Sequence, residues 1–336
     1  MNFILTIDTE ADNQWDHGRS LTVENIRFVP RFQELCNKYQ IKPTYLVTTE
    51  ICEDSFAREI FCDYIENDEA EVGAHLHSWT TPPFLNKEGY RYNDRHHAFA
   101  NELPEDLLFN KLRYLTDQIG TSFGKRPTSF RSGRYGFNET VARALILNEY
   151  LVDSSITPYT DWSANEGVPG LKGGPDFHKT RPFPYTYSDK GSALLEIPVT
   201  IIPTKFPLNK NNRFTDFFFD NVNKNFILRS LRSLFFRYQP LWLRPLPWMT
   251  LQHFDAIIRG AENMKLPYLV MMFHSSELMP NSSIYRTDSE SIEKLYELLE
   301  GFFALLSFYS IHSVSLTEAA RKYELVKGTE LSLRYV

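Results

Sequence analysis

The chain has 336 residues, 42% hydrophobic and 15% aromatic, enough apolar material for a substantial core and not the composition of a disordered segment. A formal charge of −6 leaves no general basic footprint, which argues against nucleic acid as a partner. The three cysteines, Cys36, Cys52 and Cys62, have neither CxxC spacing nor the even count of a disulfide framework and read as free thiols of a reducing compartment.

In chain order, "FILTID" is a short apolar run that passes straight into acids. It lacks the charged start of a secretory leader and reads as a buried strand. "IRFVPRFQELCNKY" repeats apolar residues at helical spacing, "KPTYLVTTE" reads as strand, "SFAREIFCDYIEN" as helix and "EVGAHLH" as a third strand. "PEDLLFNKLRYLTDQI" predicts a helix with Pro104 and acids at its start, followed by "PTSFRSG" as strand. "NETVARALILN", capped by Asn138, is the next helix and "EYLVDSS" the next strand. Later, "LLEIPVTII" and "YLVMMFHSS" read as strands, "SESIEKLYELLEGFFALL" as a long helix and "IHSVSL" as a last strand. This alternation predicts an α/β fold in which a parallel sheet, closed or nearly closed into a barrel, is wrapped by helices.

Two stretches break the rhythm. Residues 156–192 are rich in Pro, Gly, Thr and Asp and predict long loops. Residues 203–250 carry a basic, aromatic segment in which Lys224, Arg229, Arg232, Arg237 and Arg244 alternate with Phe226, Phe235, Phe236, Trp242 and Trp248. With no repeat and no linker, both read as insertions into one domain spanning 1–336. The second admits two readings: a lid whose arginines bind a phosphate or carboxylate, or peripheral membrane contact through 221–254. No apolar run approaches the roughly 20 residues of a membrane span. A cytoplasmic setting is therefore expected, with contact at the inner face of the membrane as an option.

In a parallel barrel, chemistry gathers at the C-terminal ends of the strands. Those ends carry Asp8 and Glu10, His75 and His77, Arg131, Asp153, Glu196, and His274 with Glu277. Side chains two apart on an extended segment point the same way, so Asp8 and Glu10 can face one centre, as can His75 and His77. Two imidazoles and a carboxylate make a three-ligand site with a position left open, the pattern of catalytic zinc, and one that also suits Fe, Mn or Co. Asp12 is a second candidate for the carboxylate. Asp153 reads equally as a turn cap or as a support for His274. Trp79, Tyr135 and Trp162 are candidate sugar platforms or core aromatics, and Arg134, in the Gly-Arg-Tyr-Gly turn, is a further substrate-binding candidate. His96 and His97 read as loop histidines.

The order "TIDTEAD", "GAHLHSW", "FRSGRYGFN", "LVDSS", "MMFHSSEL" resembles the motif order of the polysaccharide deacetylases, the carbohydrate esterase family 4-like group with an irregular (β/α)7 barrel. The resemblance runs from about residue 3 to residue 320, insertions excluded. It implies Asp8 as catalytic base, Glu10, His75 and His77 as ligands of one divalent metal, zinc first, Arg131 as the cation that orients the base, and His274 as general acid. Two features depart from the usual pattern: the first acids are separated as Asp8-Thr9-Glu10, and the histidines are two apart, with Trp79 where the second is expected. "TEAD" and "HLHSWTTPP" look like a branch found in bacterial surface-polysaccharide gene clusters, in which the shifted ligands belong to the pattern.

The function so implied is N-deacetylation of an acetamido sugar, nucleotide- or lipid-linked, in O-antigen or capsule assembly. The alternatives are hydrolysis of another amide, a formamide or a cyclic imide on the same fold, and a catalytically inactive glycan-binding protein.

Overall fold

A computed structural model describes residues 1–12, 21–84, 98–205, 207–221, 227 and 240–323. His96, His97, Lys224, Phe226, Arg229, Arg232, Phe235, Phe236 and Arg237 lie outside the described residues.

The sheet is built around β1 (Asn2–Thr9), which pairs in parallel with β2 (Pro43–Val47) on one side and β10 (Tyr268–His274) on the other. The order continues through β3 (Glu71–Leu76), β4 (Ser129–Ser132), β5 (Val152–Asp153) and β7 (Ser192–Glu196), all parallel. An antiparallel edge strand, β6 (Tyr185–Asp189), follows, and a short β11 (His312–Ser313) pairs with the start of β1. The gap between β7 and β10 is spanned by residues 197–200, where Ile197 and Val199 donate to the carbonyls of Asp153 and Ile156, and Thr200 exchanges two hydrogen bonds with Val270. The result is a nearly closed barrel with helices outside, the irregular (β/α)7 architecture of the polysaccharide deacetylase type.

Alternation along the strands explains the two layers of core. Phe3, Leu5 and Ile7 of β1 and Leu269, Met271 and Phe273 of β10 pack against the helices. Ile4, Val270 and Met272 face the barrel interior, with Val152 and Leu195. Thr6 and Asp8 share the inward face with Ile4, and His274 shares it with Val270 and Met272, because side chains repeat every second residue. The helix Val29–Lys38 buries Phe32 and Cys36, and Ser289–Phe308 buries Leu295, Leu299, Phe302 and Phe303, at the spacings that keep one face inward. Cys36 and Cys52 are buried free thiols, Cys62 is half-buried, and no described helix is long and apolar enough to cross a membrane.

Five elements differ from the sequence expectation. "LLEIPVTII" is not one strand: Pro198, which has no N–H to donate, separates β7 from β8 (Ile201–Ile202). The stretch 156–192 is not all loop, because Tyr185–Asp189 forms a hairpin with β7 across Lys190 and Gly191, both at positive φ, as a two-residue primed turn requires. The second insertion contains a helix, Arg213–Asn221, and β9 (Leu241–Trp242), which pairs antiparallel with β8. A further helix, Leu251–Met264, went unpredicted although Phe254, Ile257, Ile258, Ala261 and Met264 line its buried face. Its Gly260 sits close to Pro203 and Thr204 and weakens the helical signal.

Candidate metal centre and active site

The inward residues of β1, β3, β4 and β10 meet at the C-terminal mouth of the barrel. Asp8 pairs in register with His274, and His75 with Arg131. Glu10 lies just beyond β1, with its Oε2 3.0 Å from His77 Nε2 and 3.7 Å from His75 Nε2. One donor atom from each of Glu10, His75 and His77 lies within 4.8 Å of the others, and all three residues are buried.

His75 donates through Nδ1 to the carbonyl of Arg131 at 3.0 Å, which leaves Nε2 as the lone-pair atom turned toward Glu10. The His77 ring stacks on Trp79 at 4.3 Å, and its Nδ1 has no hydrogen-bond partner among the described residues. Burial pushes the Glu10 carboxyl up, but the charges and hydrogen bonds of His274, His75 and His77 outweigh it and hold Glu10 well below the usual carboxylate range. An ionised carboxylate and two imidazole nitrogens converging in a buried site are the donor set of a divalent cation such as zinc, so the residues present fit the metal that the sequence implied.

Asp8 is 2% exposed and accepts from Arg131 Nη1 at 2.6 Å. Arg131, fully buried, is fixed in turn by Ser154, donating from Nε to its carbonyl at 2.8 Å and from Nη2 to its hydroxyl at 3.1 Å. Burial opposes ionisation of Asp8, and Arg131, His75 and His274 overcome it, so the carboxyl stays below its usual value.

His274 is held along its Nδ1 edge. Glu277 Oε1 lies 3.2 Å away and Arg244 Nη2 3.1 Å away, while Arg244 Nη2 and Glu277 Oε1 are 2.7 Å apart. Burial raises the Glu277 carboxyl, but the Arg244 charge, followed by His274, brings it down to about 2.

The other candidates divide. Asp12 does not join the trio: its oxygens accept from Thr22 Oγ1 at 2.9 Å and from the backbone N–H of Glu24 at 2.7 Å and of Asn25 at 3.1 Å. It caps the turn beginning at Glu24, leaving Glu10 as the carboxylate of the centre. Asp153 is likewise not turned into the site. Val152 and Leu195 face the interior, so alternation puts Asp153 and Glu196 on the opposite side of the sheet. There Asp153 accepts from Ser155 Oγ at 2.6 Å, and burial holds the Glu196 carboxyl well above its usual value beside it. Ser155 Oγ also accepts from the Ser132 N–H at 2.8 Å, so Asp153 acts through the loop that presents Ser154 to Arg131.

Tyr135 lines the centre. Its hydroxyl donates to Met272 Sδ at 3.4 Å, and its ring stacks on Trp162 at 5.6 Å and tilts against Trp242 at 5.9 Å. Burial, with Asp8 nearby, raises its phenol. Trp79 is 7% exposed, so it backs His77 instead of offering an open ring face. Arg134 bridges loops, packing over Phe99 at 4.0 Å and donating to the Glu166 carbonyl at 2.9 Å.

Sequence reasoning gave no site role to Ser154, Tyr285 or Arg286, and reached Arg244 only through the lid reading, in which the arginines of the second insertion bind a phosphate or carboxylate. Arg244 and Trp242 were visible only as members of a basic aromatic segment, some 30 residues before His274.

Neither protein-family models nor curated protein sequences give a match. Among solved structures, 4-alpha-glucanotransferase from Thermococcus litoralis aligns with 96% of this chain at 13% identity and a TM-score of 0.55. The aligned region is 40% of that enzyme's length. A protein from Mycobacterium smegmatis assigned as a polysaccharide deacetylase aligns with 96% of this chain and 91% of its own at 14% identity and a TM-score of 0.51. Identities this low speak for the fold alone. The two neighbours' names belong to different chemistries, so the choice between them rests on side chains.

Proposed function

We propose that the protein is a metal-dependent amide hydrolase that removes the acetyl group from an acetamido sugar. The observation that carries this reading is the convergence of Glu10, His75 and His77 beside an arginine-clamped Asp8 and a His274 anchored by Glu277. A divalent ion held by Glu10, His75 and His77, zinc first with Fe, Mn or Co as alternatives, would polarise the amide carbonyl and make a water molecule more acidic.

The protein's own residues supply the rest. Asp8, kept ionised by Arg131, accepts the proton of the attacking water as its oxygen bonds to the carbonyl carbon. His274, on the neighbouring strand, gives a proton to the nitrogen as the C–N bond breaks, and acetate and a free amino sugar leave. Glu277 and Arg244 fix the orientation of the His274 ring, while Tyr135 and Trp162 form an aromatic wall of the kind that sugar faces pack against. Glycosyl transfer, by contrast, calls for two carboxylates free to flank a glycosidic bond. Here Asp8 is committed to Arg131, and Glu10 to two histidines.

The setting we infer is cytoplasmic assembly of bacterial surface polysaccharide, O-antigen or capsule, with a nucleotide- or lipid-linked substrate. It is supported by the "TEAD" and "HLHSWTTPP" resemblance.

The test is acetate release from a panel of acetamido sugars. Asp8→Asn keeps the side-chain size but removes the base, and should lower the rate by about 100-fold or more, within the usual range for general base catalysis. Turnover equal to wild type in that variant would remove Asp8 from the chemistry.

A further inference from the structure

Beside the centre lies a second cluster of charge that the hydrolytic steps use only to orient His274. Arg244 and Arg286 are 5% and 3% exposed, and Glu277 is the carboxylate that acts on both. Glu277 Oε1 is already committed to Arg244 at 2.7 Å and to the backbone N–H and ring of His274, while its Oε2 is buried with no hydrogen-bond partner among the described residues. Arg286 forms no ion pair with an acidic side chain among the described residues, Glu277 acting on it only at longer range. Its Nη2 donates to the carbonyl of Pro245, the residue after Arg244, and burial together with the Arg244 charge works against its own.

Two buried guanidinium groups therefore face one carboxylate, and a buried charge without a counter-charge is costly unless something pairs with it. The hydrogen-bonding pattern points the same way. Arg244 Nε, Arg286 Nε and Trp242 Nε1 are buried N–H donors with no acceptor among the described residues. They belong to one neighbourhood: the Arg244 guanidinium carbon is 5.7 Å from the Trp242 ring and 4.7 Å from the Tyr285 ring. Orphaned donors with surplus positive charge are complementary to an oxyanion.

We propose that this cluster is a subsite for an anionic group, a carboxylate or a phosphate, carried by the substrate next to its acetamido sugar. The substrate in this statement is that of the proposed deacetylation, and the proposal narrows its class from acetamido sugars in general to acidic ones. Trp242, whose ring also tilts against Tyr135, joins the anion subsite to the aromatic wall of the centre. Arg244 then has two roles, orienting His274 and neutralising the ligand, while Arg286, which also donates to the Pro245 carbonyl, does not touch His274.

Calorimetric titration of the metal-loaded full chain tests this without turnover. N-acetylglucosamine is compared with its 1-phosphate and with the corresponding uronic acid, in wild type and in Arg286→Gln. The expected result is that at least one anionic sugar binds wild type tenfold or more tightly than the neutral parent, and that Arg286→Gln erases the difference while leaving the neutral sugar's affinity within twofold. Preference for the phosphate alone identifies a phosphate-linked substrate, and preference for the uronic acid alone an acidic sugar. Arg286→Met, which removes the unpaired charge but keeps much of the volume, replaces the glutamine variant should that fail to fold. Equal binding of all three sugars by wild type, or a preference that survives in the substituted protein, overturns the proposal. Because binding is read directly, a retained preference without acetate release would sink the deacetylase reading and leave the anion subsite standing.

Discussion

The Asp8–Arg131 pair and the Arg244–Glu277 pair are both buried, and burial of charge is tolerated only where each group is matched. Arg131 is matched by Asp8 and two oxygens of Ser154, so removing Asp8 exposes a cost as well as a chemical loss. Glu277 permits a sharper statement. Its folded-state carboxyl is lowered to about 2 from an ordinary value near 4.5, so between those values the unfolded chain binds more protons than the folded one. The stability it contributes is present above pH 4.5 and is lost as pH falls through about 2. Glu277→Gln is predicted to destabilise the protein by about 3 kcal/mol at neutral pH, the scale for breaking a buried pair from one side. Thermal melts at a series of pH values should show the gap between wild type and variant narrowing as pH falls from about 4.5 toward 2. A gap that stays constant with pH would mean that Glu277 is not held as the ionised partner of Arg244.

At the scale of elements, the centre exists because four parallel strands end at one level with inward side chains in register. The sequence made that legible, since "FILTID", "EVGAHLH" and "YLVMMFH" announce strands, and period-two alternation then fixes which of their polar ends face inward. Thus Glu10, His75, His77, Asp8, Arg131 and His274 were named as candidates from the sequence, and the structure brings them together at the barrel mouth. For Asp12 and Asp153 the sequence left ligand, support and turn cap open, and the structure shows the cap: both accept from backbone and hydroxyl donors within their own loops, and spacing does not distinguish a turn cap from a ligand. Arg244 was legible only as one arginine of a possible lid; its contact with His274 was not, because it reaches that ring from an insertion, through β8 and β9 pairing that no periodicity encodes.

The close spacing of the two histidines also depends on a neighbouring element. A Cβ on Gly133, just after β4, would lie 2.7 Å from His77 Cδ2 and equally close to the Leu76 carbonyl. Gly133→Ala should therefore displace the His77 ring and weaken metal retention by tenfold or more, while circular dichroism still reports a folded barrel. Unchanged metal affinity in this variant would show that His77 has room to move and is not held by β4.

For the whole molecule, the barrel supplies the site's frame and the described part of the second insertion supplies part of its wall. The segment 203–250 was expected to act as a lid or as a membrane contact, and its described part does contribute Trp242 and Arg244 to the wall of the centre. Phe214, Phe217 and Trp248 remain about half exposed on the same insertion and bear on the membrane reading, which stays a proposal. The neighbouring folds unite glycosyl transfer and deacetylation on one architecture, so identity of function rests on the side chains at the mouth of the barrel.

The most direct measurement is therefore the metal content of the purified chain by elemental analysis, for wild type and for Glu10→Ala, His75→Ala and His77→Ala. About one divalent ion per chain in wild type, lost in each of the three variants, is the predicted result. A wild type that holds no metal and takes up no added Zn²⁺, Mn²⁺ or Co²⁺, or a metal that survives all three substitutions, would contradict a centre built from Glu10, His75 and His77.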